Sequence, residues 1–237
     1  INEDHFKPRA VYGIWPAHSI GDDVEIFSDK DKSKKIETFH FLRQQETKEN
    51  DTHFYSLADF IAPKNKNITD YFGAFAVTMG FEVEKYSNVY KDKGDDYNAI
   101  MVKALGDRMA EALTEMMHKK IRTIFGYGKS ENLNNHELIL EKYQGIRPAP
   151  GYPACPDHTE KKIIWKTLDV EKNLEICLTE NFAINPPSSV SGFYINHPQA
   201  KYFTLGKIGK DQVKNYAKRK DMNLETAAKW LRPNLTY

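Results

Sequence analysis

Ten consecutive residues, Arg147-Pro148-Ala149-Pro150-Gly151-Tyr152-Pro153-Ala154-Cys155-Pro156, carry the densest chemistry in the chain. Their four prolines fix four φ angles and remove four backbone donors, so the stretch is neither helix nor inner strand but a stiff loop. Gly151 lets the backbone turn or approach a ligand where a Cβ would block it, and Arg147 and Tyr152 flank the bend as a fixed cation and an aromatic ring. That is how a binding loop is built, and rigid connectors without a ligand share the same composition. A second cue is Asp107 and Glu111, four apart in a helical pattern and so one turn above another, beside the small Ala104 and Ala110. Two readings stand for this pair: a solvated acidic face supported by Lys103 and Arg108, or carboxylates facing a cationic ligand. Cys155 and Cys177 sit in no CxxC or Cys/His metal spacing and read as reduced thiols of a cytosolic protein, Cys155 with a structural role because nothing nearby lowers its pKa. His158, near a helix start, reads as a local hydrogen-bonding residue.

The elements that must position these groups follow from periodicity. Ala10–Trp15 (ended by Pro16), Asp22–Phe27 and Ile36–Leu42 read as strands pairing antiparallel, with a charged hairpin connection over Asp29–Lys35. Ser56–Phe60 is a helical turn, Tyr71–Thr78 a strand stopped by Gly80, and Glu82–Lys91 a short helix. The longest periodic segment is a helix over Asn98–Ile124, capped by Asp96, with Ile100, Leu105, Met109, Ala112, Leu113, Met116, Ile121 and Ile124 as its apolar stripe. A helix capped by Asn134 or Asn135 runs to Lys142 and delivers the chain into the proline loop. Thr159 caps the next, which extends from Asp157 to about Lys172. Cys177–Ile184, Val190–Ile195 and Lys201–Ile208 form a strand meander, and helices Asp211–Lys220 and Leu224–Leu231, the second capped by Asn223, close the chain.

With 237 residues, 40% of them hydrophobic, the chain can bury a substantial core as a single α+β domain. A formal net charge of +1 supplies no global field for nucleic acid or membrane. No apolar run approaches the roughly 18 residues of a membrane span. Lys201 to Arg232 carries nine Lys/Arg against three acids. That basic end is either a solvated surface or a steering patch for an acidic partner.

The words of the sequence say more. Gly145-Ile146-Arg147-Pro148-Ala149-Pro150-Gly151-Tyr152-Pro153 followed by Asp157-His158-Thr159-Glu160-Lys161 resembles the signature of the C-terminal reactivation domain of cobalamin-dependent methionine synthase. Asp95-Asp96-Tyr97-Asn98, Ile100 to Leu105 with Asp107-Arg108, Leu178-Thr179-Glu180, Ser189-Val190-Ser191-Gly192, Lys201-Tyr202-Phe203 and Asp211-Gln212-Val213 resemble that family in the same order, as do Gly21-Asp22-Asp23 and Leu42-Arg43-Gln44-Gln45. The resemblance covers nearly the whole chain. It implies a C-shaped domain with a bent antiparallel sheet that binds S-adenosylmethionine and supports reductive methylation of cob(II)alamin. It further implies S-adenosylmethionine contacts at Arg147, Ala149, Gly151, Tyr152, Tyr202, Phe203 and Glu111, and a contact of Asp107 with the cobalamin module. No cobalamin-binding DxHxxG motif is present, so the cobalamin comes from a neighbouring module. The family's electron donor is flavodoxin or a flavodoxin-like reductase, expected to dock near Lys214, Lys218, Arg219 and Lys220. The family's domain extends further upstream and supplies a ligand-binding aspartate there that has no counterpart ahead of Ile1. The expectation is thus a reactivation domain over 1–237 lacking the family's N-terminal part, belonging to a cytoplasmic methyltransferase and without turnover by itself. Alternatives are a non-catalytic S-adenosylmethionine-binding or docking module outside a methionine synthase, and, weakest, nucleic-acid binding through the basic end.

Overall fold

The computed structural model describes residues 6–46 and 53–237. Its centre is a five-stranded antiparallel sheet of order β3-β2-β1-β4-β7, built from β1 (Arg9–Ile20), β2 (Asp23–Phe27), β3 (Lys35–His40), β4 (Asp70–Thr78) and β7 (Ser189–Tyr194). Strand β1 does not stop at Pro16. Residues Arg9 to Ala17 pair with β4, and β2 joins the other edge only from Ala17 onward, so no ladder bond on that side asks for the missing proline N–H.

Strand β4 is apolar on both faces because both are covered. Phe72, Ala74 and Ala76 face a core with Phe39, Phe193 and the helices α4 (Lys161–Leu168) and α5 (Val170–Leu174), contributed by Ile164, Trp165, Leu168, Val170 and Leu174. Phe75 and Val77, one residue out of phase, face Met117 and Ile121 of the 30-residue helix α2 (Asp96–Phe125). The order is helix, sheet, helix, with α1 (Glu82–Lys91) packed along α2. A short helix α3 (Asn135–Ile139) precedes the proline loop, and α6 (Lys210–Arg219) with α7 (Leu224–Trp230) forms a separate small cluster around Leu205, Ile208, Val213, Tyr216 and Leu231. Among the described residues no helix is long and apolar enough to cross a membrane.

Several expectations need correction. The cap of α2 is Asp95, whose carboxylate accepts from the Asn98 backbone N–H at 3.0 Å, and not Asp96. The apolar stripe assigned to α2 is mostly outside: Ile100 is 66% and Met116 59% exposed, and Leu105, Met109 and Ile124 are exposed too, while Leu113 and Ile121 do pack inward. The buried face is Ala99, Val102, Gly106, Ala110, Thr114, Met117, His118, Ile121 and Arg122. Close approach decided this, since a Cβ on Gly106 would lie 2.6 Å from Val83 Cγ1 and 2.8 Å from Ser188 Oγ. Small side chains had to face inward there, and the large ones were left outside.

The expected helix over 157–172 is three pieces: a 3₁₀ turn His158–Glu160 and then α4 and α5, separated by Asp169 in the left-handed region. Asp157, rather than Thr159, caps its start. The strand expected over 177–184 is reduced to the two-residue strands β5 (Cys177–Leu178) and β6 (Ile184–Asn185), which pair as a hairpin. Lys201–Ile208 is not a strand. Its backbone is taken up by other segments: Leu205 N–H donates to Pro153 O at 2.9 Å and Thr204 O accepts from Gln44 Nε2 at 2.6 Å.

Candidate functional site

The proline loop is held from below by the sheet. Ile146 exchanges both backbone bonds with Ile195 just past β7, at 2.9 and 3.0 Å, and Phe193 N–H donates to Pro148 O at 2.8 Å. Gly192 permits that approach, because a Cβ there would sit 2.7 Å from Pro148 O. Within the loop, Gly151 N–H donates to Cys155 O at 2.7 Å and Tyr152 N–H to Ala149 O at 3.2 Å. Gly151 has φ +97°, and a Cβ on it would meet the His158 ring at 2.3 Å, so any other residue there is strained.

Above this loop opens a cleft of about 480 Å³, the size of a small-molecule site. Arg147, Ala149, Tyr152, Tyr202, Phe203 and Glu111, six of the expected contact residues, line it together. The decisive link is between the two distant segments: Arg147 N–H donates to the Tyr202 hydroxyl at 3.0 Å. Burial pushes the Tyr202 phenol pKa up, so the group stays a neutral hydroxyl at physiological pH. Tyr152 is 59% exposed at the rim. Gly151 lies behind, in an adjoining recess of about 330 Å³ that shares Glu111, Ala149, Tyr152 and Val190 with the cleft. Asp107 does not line the cleft; its carboxylate accepts from Ser188 Oγ at 2.7 Å, one turn before Glu111.

Arg147 is held on several sides. Its Nη2 meets Glu115 Oε2 at 2.8 Å, its Nη1 donates to the Tyr143 hydroxyl at 2.5 Å, and His118 Nδ1 lies 3.4 Å from Nη1. Burial works against the guanidinium charge, but Tyr143, Glu115 and Tyr202 more than offset it and the pKa moves up. His118 is driven down to about 2 by burial and then by Arg122 and Arg147, so it is a neutral ring that accepts from Arg147. Tyr143 is pushed up to about 12, mainly by burial. Sequence reasoning missed Glu115, His118, Tyr143, Thr114 and Glu141. Glu115 had a signal, because it continues the four-residue spacing of Asp107 and Glu111; Tyr143 had none, since it stands four residues before Arg147 outside any helix, where no periodicity brings the two side chains together.

The other reactive groups fall into structural places. Cys155 is buried, and burial pushes its thiol pKa well up, which suits a core thiol and not a nucleophile. His158 Nδ1 stands 2.9 Å from Lys161 Nζ, and burial lowers both pKa values. Of the basic patch, Lys214 and Lys218 are exposed, but the other two members are spent inside the fold. Arg219 pairs with Asp23 and donates to Phe41 O, and Lys220, its side chain 6% exposed, pairs with Asp157 at 2.9 Å and Glu160 at 2.6 Å. The helix ends there against the start of α4, which consumes the cations the sequence offers as surface charge. No group of three or more His, Cys, Asp or Glu poised for a metal occurs among the described residues.

This geometry can be set against known proteins. The profile of vitamin B12-dependent methionine synthase activation domains matches residues 1–221. The chain belongs to that family. A solved structure described as the MetH reactivation domain bound to AdoHcy is 51% identical, superposes with a TM-score of 0.97, and is matched over 100% of this chain and 73% of its own. The resemblance seen in the sequence and the antiparallel α+β fold are thereby both established for this activation domain.

Proposed function

We propose that the cleft binds S-adenosylmethionine and that the chain serves as the reactivation module of a cobalamin-dependent methionine synthase. The observation that carries this reading is the Arg147–Tyr202 hydrogen bond, which makes one cleft of the proline loop and the aromatic edge opposite Glu111. The solved relative supports it, being a reactivation domain described with AdoHcy, which is what S-adenosylmethionine becomes once its methyl is lost.

Arg147 pairs with the methionine carboxylate through charge-assisted hydrogen bonds. Glu111 faces the ammonium or sulfonium side, and Tyr152, Tyr202 and Phe203 form the apolar wall. Gly151 N–H is already used within the loop, so this pair of residues serves the ligand through the Ala149 N–H and the Gly151 carbonyl. Cobalamin presented by a neighbouring module would supply the redox and methyl-accepting chemistry, and S-adenosylmethionine that had given up its methyl would be left as S-adenosylhomocysteine. The chain's own share is to hold the methyl in attack geometry toward the mouth that Glu111 flanks, with Asp107 beside it for contact with the cobalamin module. It has no turnover alone. A flavodoxin-like donor docks on the surface that still carries Lys214 and Lys218.

Calorimetric titration of S-adenosylmethionine into the 237-residue chain tests the reading. Glu111→Gln removes one charge-assisted hydrogen bond and weakens binding by roughly 1.5 to 3 kcal/mol. Unchanged affinity would remove Glu111 from the site, and absence of binding by the unaltered chain would overturn the reading.

A further inference from the structure

We propose that Tyr143 is the positioning residue for carboxylate recognition: it fixes Arg147 so that the free edge of the guanidinium faces the cleft. The proposal rests on the pairing of Arg147 with the ligand carboxylate. A guanidinium has five N–H donors in a rigid plane. In Arg147, Nη1 is turned to the Tyr143 hydroxyl and to His118 Nδ1, and Nη2 to Glu115. Nε–H has no hydrogen-bond acceptor among the described residues, and the Nε/Nη2 edge is the one a carboxylate engages through two parallel hydrogen bonds. Arg147 is itself part of the cleft wall.

Tyr143 can do this because it cannot move. The residue is 9% exposed, the Arg122 guanidinium carbon lies 4.1 Å from its ring centroid, and the His118 ring meets it edge-on at 4.9 Å. Arg122 is fully buried and is anchored in turn, its Nε donating to both oxygens of Glu131 at 2.9 and 3.0 Å. The sequence Glu131, Arg122, Tyr143, Arg147 is therefore one buttress reaching from below α2 to the cleft. A long arginine fixed before the ligand arrives loses less side-chain freedom on binding. His118 contributes a neutral acceptor, so the buttress adds no third positive charge near the ligand.

The experiment compares Tyr143→Phe with the unaltered 237-residue chain by calorimetry, using S-adenosylmethionine and its decarboxylated analogue, which keeps the sulfonium, amine and adenosine. Phenylalanine keeps the ring against Arg122 and His118, so the fold is retained, which a thermal melt checks. The expected result is binding of S-adenosylmethionine weakened about tenfold, the worth of one charge-assisted hydrogen bond, with the analogue unchanged within about twofold. If the unaltered chain prefers S-adenosylmethionine and the variant keeps that preference, Tyr143 does not position Arg147, while the carboxylate pairing stands. Equal loss for both ligands would also overturn the proposal, as it signifies a general disturbance of the cleft. If the unaltered chain binds both equally, the carboxylate pairing itself fails.

Discussion

Replacing Lys220 by methionine tests whether this lysine is an internal brace or a docking charge. Its Nζ lies 2.9 Å from Asp157 Oδ2, 2.6 Å from Glu160 Oε1 and 2.5 Å from Thr159 Oγ1, with the Tyr216 hydroxyl at 3.3 Å. Side-chain exposures are 6% for Lys220, 2% for Asp157 and 0% for Glu160, so solvent does little to screen the cluster. Methionine fills the same volume but leaves two buried carboxylates facing each other without a cation, a change that costs about 3 to 5 kcal/mol. For a chain of this size that corresponds to a fall in Tm of roughly 6 to 20 °C. Urea unfolding followed by circular dichroism measures the loss directly. The pH dependence separates this cause from loss of packing. Burial raises the Asp157 pKa but Lys220 and Thr159 bring it below its ordinary value, whereas burial holds Glu160 above its own despite Lys220. Asp157 thus stabilises the native chain above its unfolded pKa of 3.8 and loses this as the pH falls through the lowered value. Without Lys220 both carboxyl pKa values rise, so the deficit is largest where both carboxyls are ionised and narrows as the pH falls and both take up protons. At the alkaline end the raised Lys220 pKa means that the unaltered chain keeps the lysine's contribution below 10.5 and loses it above, closing the gap again. A loss below about 1 kcal/mol, or one independent of pH, would refute the brace and return Lys220 to the surface.

Gly151→Ala must both adopt φ +97° and relieve a 2.3 Å contact with the His158 ring; it should weaken S-adenosylmethionine binding at least tenfold, about 1.4 kcal/mol, in the same calorimetric assay. His158→Ala added to it relieves the contact but not the dihedral, and should recover only part of the affinity. Charge reversal at Lys214 and Lys218 together should slow reduction of the cobalamin-loaded enzyme by a flavodoxin and flatten its salt dependence while leaving the Tm within about 2 °C, as both side chains are exposed. An unchanged rate at low salt would place the donor elsewhere.

What could be read without coordinates was what covalent geometry and local spacing impose. Four prolines and one glycine define the Arg147–Pro156 bend whatever surrounds it, because φ restriction and the loss of N–H donors are properties of the residues themselves. The same holds for the Asn223 cap, the strand-forming runs of β2 and β4, and the helix over Glu82–Lys91, each of which the fold contains. Local rules also bring Asp107, Glu111 and Glu115 onto one side of α2.

Tertiary structure decided everything that depends on how closely two surfaces meet. Which side of α2 is buried was settled by the Gly106 contact with Val83 and Ser188, and side-chain hydrophobicity alone pointed to the wrong side. Lys220 and Arg219 look in sequence like Lys214 and Lys218, and only the meeting of α6 with Asp157, Glu160 and Asp23 separates brace from surface. Arg147 is recognisable as a cation in a stiff loop, but the hydroxyls of Tyr143 and Tyr202 that orient it stand 4 and 55 positions away and reach it through packing, not periodicity. Short-range sterics are written residue by residue; the direction in which a charged side chain points is a property of the assembled interior.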